Sequence, residues 1–152
     1  MDLSNFGHHA QVMGSPEFPE GGSPITDYVP PDYTAPSYMT VDGSSYLKIV
    51  HTDALALGKD NADFTVSFAL HQTQAQGDWR NILHKGNANG ERTPAIWKNY
   101  ANTGFHARIS TTASGNEGIS NSQAVDLNRW YYITYHKQRQ TLTVYYDGVS
   151  VD

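Results

Sequence analysis

The sequence predicts an all-β fold of the sandwich or barrel kind. Three observations point there. Period-two alternation is clear in two segments: Phe64, Val66, Phe68 and Leu70 share one face against Thr65, Ser67 and Ala69, and Phe105, Ala107 and Ile109 share another. Turn-forming residues separate short apolar runs throughout the C-terminal three-quarters of the chain. No segment keeps a helical period. The composition agrees, with 12% aromatic residues, ten tyrosines and thirteen glycines in 152 residues.

Taken in order, the first 37 residues stand apart. They carry six of the seven prolines: Pro16, Pro19, Pro24, Pro30, Pro31 and Pro36. Proline fixes φ and removes a backbone donor, so residues 1–37 are expected to form an extended arm or linker. Gly14-Ser15-Pro16-Glu17-Phe18, preceded by His8-His9, also reads like a vector-encoded leader. Residues 38–152 are expected to form one sandwich, a length that buries a sizeable core.

Within that region Tyr46–Val50 reads as a strand after the turn signal Asp42-Gly43-Ser44-Ser45, and residues 54–58 as a short loop or single helical turn. Further strands are expected at 63–70, 79–85, 94–98 and 105–111. Thr112–Ser122 reads as a long polar loop. Two more strands, 130–136 and 141–146, are joined by a turn at 137–140. The Asp147-Gly148 hairpin signal leads into 149–151.

Charge and composition exclude several functions. The formal net charge is −5, and the ten basic residues are scattered, which argues against nucleic acid as a partner. No run approaches the ~20 apolar residues of a membrane span. Met1–Gly14 lacks an apolar signal core, so a chain complete at that end is expected to stay in the cytosol. With no cysteine there is neither a disulfide nor a thiolate metal site.

Three blocks of residues, in order, resemble the laminin-G-like, concanavalin A-like jelly-roll superfamily. The first is Val41-Asp42-Gly43-Ser44-Ser45-Tyr46-Leu47-Lys48-Ile49, followed by Asp63-Phe64-Thr65-Val66-Ser67-Phe68, where Ala69 replaces the usual Trp. The second comprises Ile82–Gly86, Arg92–Trp97, Phe105–Thr112 and Asn116-Glu117-Gly118, and is similar to a bacterial and viral branch. The third is Leu127–Tyr135 with Leu142–Gly148, like the superfamily's "W-h-v-t…l-lyvDG" hairpin. The resemblance implies a two-sheet antiparallel jelly roll. It also implies a further hairpin and closing strand beyond about Asp152, so either a fragment or a chain completed by a partner's strand is expected.

The resemblance admits lectins and glycosidases. Glycosidases need two flanking carboxylates, and Glu17, Glu20, Glu91 and Glu117 form no i, i+4 pair, so no enzyme is expected. Calcium at a loop rim is a feature of related domains, and its candidate oxygen donors are Asp78, Asn87, Asn89, Asn116 and Glu117. His84 and His106 fall in expected strands, where they read as packing or surface groups. Trp130 matches a core position of the superfamily and is expected inside, whereas Trp79 borders a loop and is expected half exposed.

The candidate ligand-binding residues are Arg92, Trp97, Tyr100, His106 and Arg108. Arg108 lies between Ala107 and Ile109 and should point away from the core, where its fork suits a polar ligand or an ion pair with Glu91 or Glu117. Two functions follow as expectations. One is a binding or adhesion module for glycan or a protein surface, acting through sandwich-end loops or the concave face. The other is a virion or filament component that uses its arm and open sheet edge for homo- or hetero-oligomer contacts. The resemblance, as distinct from the chain's own N-terminus, implies an extracellular or virion surface as the place.

Overall fold

The computed structural model describes residues 10–13, 38–75, 77–87, 90–100 and 104–151. The chain divides into two compact units, Met1–Leu55 and Ala56–Asp152. In the first, β1 (Ala10–Met13) pairs antiparallel with β2 (Tyr46–Ile49), Ala10 opposite Ile49 and Met13 opposite Tyr46. Ala10–Met13 lies in the segment expected to be a proline-rich arm; the rest of that arm, including His8, His9, Glu17 and Glu20, is outside the described residues. The expected Asp42 turn is present. One Asp42 carboxylate oxygen accepts from Ser44 N, Ser44 Oγ and Ser45 N, and these bonds lower its pKa to about 2. A single 3-10 turn spans Asp53–Leu55.

The second unit holds two antiparallel four-stranded sheets, as the jelly-roll reading requires. One is ordered β10-β9-β8-β3, from β3 (Phe64–His71), β8 (Trp130–Gln138), β9 (Thr141–Tyr146) and β10 (Val149–Ser150). The other is ordered β4-β5-β6-β7, from β4 (Arg80–His84), β5 (Ala95–Lys98), β6 (Phe105–Ile109) and β7 (Glu117–Ser120).

Alternation sorts each strand into two faces. Along β6, Phe105, Ala107 and Ile109 are buried, while His106 and Arg108 are half-buried on the other side. Along β8, Tyr131, Ile133, Tyr135 and Lys137 face inward. Phe105, Ala107, Ile109, Tyr131, Ile133 and Tyr135 join Phe64, Ile96, Val125, Val144 and Tyr146 in one core. Phe105 and Tyr146 meet edge-to-face at 5.7 Å, tying β6 of one sheet to β9 of the other, and Phe64 meets Tyr135 in the same way at 5.7 Å. Each such pair adds about 1 kcal/mol beyond the area it buries.

Two expectations need correction. Thr112–Ser122 is not all loop, because Glu117–Ser120 forms β7 at the sheet edge. Its only apolar residue is Ile119, and Gly118 has φ +139°, so neither alternation nor propensity marked it as a strand. A Cβ at Gly118 would lie 2.2 Å from the Ala107 carbonyl oxygen, so the close approach of β6 to β7 needs glycine. Trp130 is not inside. It is 44% exposed on the outer face of its sheet, stacked at 5.1 Å on His71, the residue opposite it on β3. The next residue, Tyr131, takes the inward position, and its hydroxyl bonds Asp126 Oδ2 at 2.9 Å.

Lys98 is an unusual member of the inner face. It lies opposite Phe105, is 2% exposed, and donates from Nζ to the Gly104 carbonyl at 3.4 Å, with its charge 5.6 Å from the Phe105 ring centre. Burial lowers its pKa from 10.5 to about 8. The unfolded chain therefore binds the proton more tightly than the fold does, and stability rises with pH between about 8 and 10. Above that range buried tyrosines reverse the slope, since burial raises Tyr146 to about 12. Denaturant unfolding followed from pH 8 to pH 10 should show a gain on the order of 2 kcal/mol. Lys98→Met should flatten that profile and raise stability at pH 7.

Candidate functional site

The outer face of the β4–β7 sheet concentrates ring and guanidinium groups. The register explains why. Trp97 on β5 lies opposite His106 on β6, and Ala95 lies opposite Arg108. His106 in turn faces Ser120 on β7, and Arg108 faces Gly118. On β4, Asn81 lies opposite Trp97 and His84 opposite Ala95, with a register shift between Asn81 and Leu83. Directly opposed residues point to the same side of a sheet, so one outward surface carries Asn81, His84, Trp97, His106, Arg108 and Ser120.

Five rings run in a continuous series across this surface. Tyr100 is 5.8 Å from Trp79, Trp79 is 5.1 Å from His106, His106 is 5.9 Å from Trp97, and Trp97 is 5.6 Å from His84. Adjacent planes are tilted by 49–71° rather than stacked flat, so faces as well as edges are presented. Trp79 and Tyr100 are 42% and 58% exposed, so the series opens to solvent at that end. The Arg92 guanidinium lies 4.9 Å from the Trp97 ring centre, and its Nη1 donates to Asn116 Oδ1.

Polar groups hold the centre in one arrangement. Arg108 Nε donates to His106 Nε2 at 2.9 Å, and Arg108 Nη2 donates to Ser120 Oγ at 2.8 Å. His106 Nδ1 is 2.8 Å from the same Ser120 oxygen. Arg108 Nη2 also lies 3.1 Å from His106 Nδ1, so arginine donors meet both ring nitrogens, and a lone pair on the ring receives the guanidinium. Desolvation, then the charges of Arg108 and Arg92, lower the pKa of His106. The imidazole is therefore neutral at pH 7, as its hydrogen bonds require.

All five residues picked from the sequence as ligand candidates, Arg92, Trp97, Tyr100, His106 and Arg108, thus lie on or beside one surface. Arg108 points away from the core, as alternation predicted, but its side-chain bonds go to His106 and Ser120. Neither Glu91 nor Glu117 forms the expected ion pair with it; Glu117 acts on it only through space. Sequence reasoning left out Asn81, Trp79, His84 and Ser120. Trp79 was read only as a half-exposed loop ring, His84 as packing, and Ser120 as part of a loop. Strand pairing, rather than any local motif, brings them in.

The five calcium candidates are not gathered in the same way. The register sets Asp78, which precedes β4, at the opposite end of the sheet from Asn116 and Glu117. An Asp78 carboxylate oxygen accepts from Trp79 N at 2.7 Å, and the Asn116 oxygen already receives the Arg92 cation. Asn87 donates its backbone N–H to Glu91, and Asn89 is outside the described residues. Among the described residues no three His, Asp or Glu side chains converge on a metal-sized site.

An open cleft of about 990 Å³ lies elsewhere, lined in part by Ile109, Thr111, Lys137 and Leu142. It contains none of the ring series. Its buried cation is held in place, since Lys137 Nζ donates to Asn61 O, Asn61 Oδ1 and Ala62 O at 3.0–3.1 Å. No helix among the described residues is long and apolar enough to cross a membrane.

The state of His106 gives a direct prediction. In an imidazole ¹⁵N titration it should show a midpoint below the ordinary 6.5. Because the folded pKa is lowered, the unfolded chain takes up the proton first. His106 should therefore cost the fold stability as pH falls below 6.5, and His106→Gln should remove that loss.

No curated protein and no solved structure matches the chain. Residues 41–152 match the profile of the Concanavalin A-like lectin/glucanases superfamily. With that match covering most of its length and two antiparallel sheets packed on a shared core, the chain belongs to the laminin-G-like branch of the concanavalin A-like superfamily.

Proposed function

We propose that the domain is a non-catalytic binding module that recognises a glycan through the outer face of the β4–β7 sheet. Membership of the superfamily supports a generic binding or lectin-like module. The observation that carries the finer reading is the ring series Tyr100–Trp79–His106–Trp97–His84, flanked by Arg92 and Arg108. A sugar has an apolar C–H face and a hydroxyl rim. Tilted rings suit the first, and guanidinium, imidazole and serine groups suit the second. The residues aligned on this face by the register include no carboxylate, so it offers no acid–base pair for glycoside cleavage. Such a module fits an extracellular or virion surface, where glycans are displayed.

A second reading, subunit assembly through a sheet edge, has one observation in its favour. β3 is the outermost strand of its sheet, and its inward Val66, Phe68 and Leu70 are only half-buried. Sedimentation across a concentration series separates the two readings, since a monomer throughout the series removes assembly.

The glycan reading is tested with an oligosaccharide array followed by calorimetry on the hits. Trp79→Ala should weaken binding by on the order of 2 kcal/mol, about thirty-fold, with little change in thermal stability because the ring is half exposed. Trp130→Ala, which removes a comparably exposed ring from the other sheet, should leave affinity unchanged. An equal loss in both variants would count against this face.

A further inference from the structure

A neutral imidazole accepts a hydrogen bond through its one ring lone pair, and protonation removes that lone pair. At His106 the partner is a cation. Arg108 Nε donates to His106 Nε2 at 2.9 Å, and Arg108 Nη2 lies 3.1 Å from Nδ1. Once both ring nitrogens carry protons, the guanidinium meets only donors and must leave the ring. We propose that His106 is an acid-operated switch, whose protonation expels the Arg108 fork and loosens the hold of this face on its ligand. The switch rests on the glycan reading above and gives that site a regulation.

The groups around His106 oppose its protonation. Desolvation is the largest influence, followed by the charges of Arg108 on the same strand and Arg92 before β5. A hydrogen bond with the Asn116 amide favours the protonated form, as a smaller influence. Glu117 on β7 acts on Arg108. β5 presents Trp97 and the segment before β4 presents Trp79, both uncharged rings. His84, the other imidazole of the series, lies beyond Trp97 at 5.6 Å from it. On β7, Ser120 Oγ is 2.8 Å from His106 Nδ1, and a hydroxyl can give or take that bond. Ser120 therefore tolerates either state of the ring, and Arg108 tolerates one.

Both consequences of protonation weaken binding. His106 sits in the middle of the ring series, 5.1 Å from Trp79 and 5.9 Å from Trp97. A charged, hydrated ring there interrupts the apolar run that the C–H face of a sugar would cover. Arg108 keeps its bond to Ser120 Oγ at 2.8 Å but loses its second tether, so its fork must be ordered when the ligand arrives. A ligand that prefers the neutral ring binds fully above the His106 midpoint and less tightly below it.

The test follows the full chain by ¹H–¹⁵N correlation from pH 7.5 to pH 5. The Arg108 Nε–H signal should move with the same midpoint as the His106 ring. His106→Gln supplies an acceptor that does not titrate, so the signal should hold still; His84→Gln should leave its movement intact. Arg108→Gln should raise the His106 midpoint. An oligosaccharide array read at pH 7 and pH 5, with calorimetry on the strongest hit, should show binding about fivefold weaker in acid. His106→Gln should remove most of that difference, with thermal melts at both pH values checking the fold of each variant. An Arg108 signal that ignores the His106 titration overturns the switch. Equal affinity at both pH values overturns acid release and leaves the glycan reading standing. If no glycan binds at either pH, the glycan reading fails and acid release fails with it, whatever the Arg108 signal does.

Discussion

Everything on the candidate face depends on the pairing of β5 with β6. Ile96 opposite Ala107 and Lys98 opposite Phe105 go into the core, which forces Trp97 opposite His106 and Ala95 opposite Arg108 to the outside. A slip of one residue would exchange the two sets, burying a guanidinium and exposing Ile96 and Phe105. The core and the candidate face are two sides of one register. The burial of Ile96, Phe105 and Ala107, each no more than 1% exposed, is therefore also what aims the outward side chains.

Much of the fold was legible because its signals are local. Alternation in Phe64–Leu70 and Phe105–Ile109, and the Asp147-Gly148 turn, each report on neighbouring residues, and the strands followed them. The positive φ of both Asp147 and Gly148 matches the hairpin turn read from that dipeptide. β7 escaped notice because its place is set by β6 and not by its own residues. Trp130 was misplaced for a related reason. Trp130 and Tyr131 are both large aromatics, and only the pairing with β3 decides which of them faces inward.

The candidate site was legible in part. Arg108 could be placed outside the core from Ala107 and Ile109 alone. That Trp79 on a loop, His84 on β4 and Ser120 on β7 meet it could not be read from spacing, since about 40 residues separate the first from the last. The calcium donors raise a different question. Each is a plausible oxygen source taken singly, but coordination is a property of convergence, and the sheet register parts Asp78 from Asn116 and Glu117.

The hydrogen bond from Arg108 to Ser120 has a kinetic meaning as well as a geometric one. Ser120 belongs to a four-residue edge strand with a glycine in its middle, joined to the sheet along one side only. Such strands are among the first parts of a sandwich to open and reclose. Each opening would release the arginine fork from one of its two tethers while the ring series, carried by β4, β5, β6 and the residues beside them, stays in place. The rings would then act as a standing platform, and the charged clamp as a part whose dwell time is governed by the edge of the sheet.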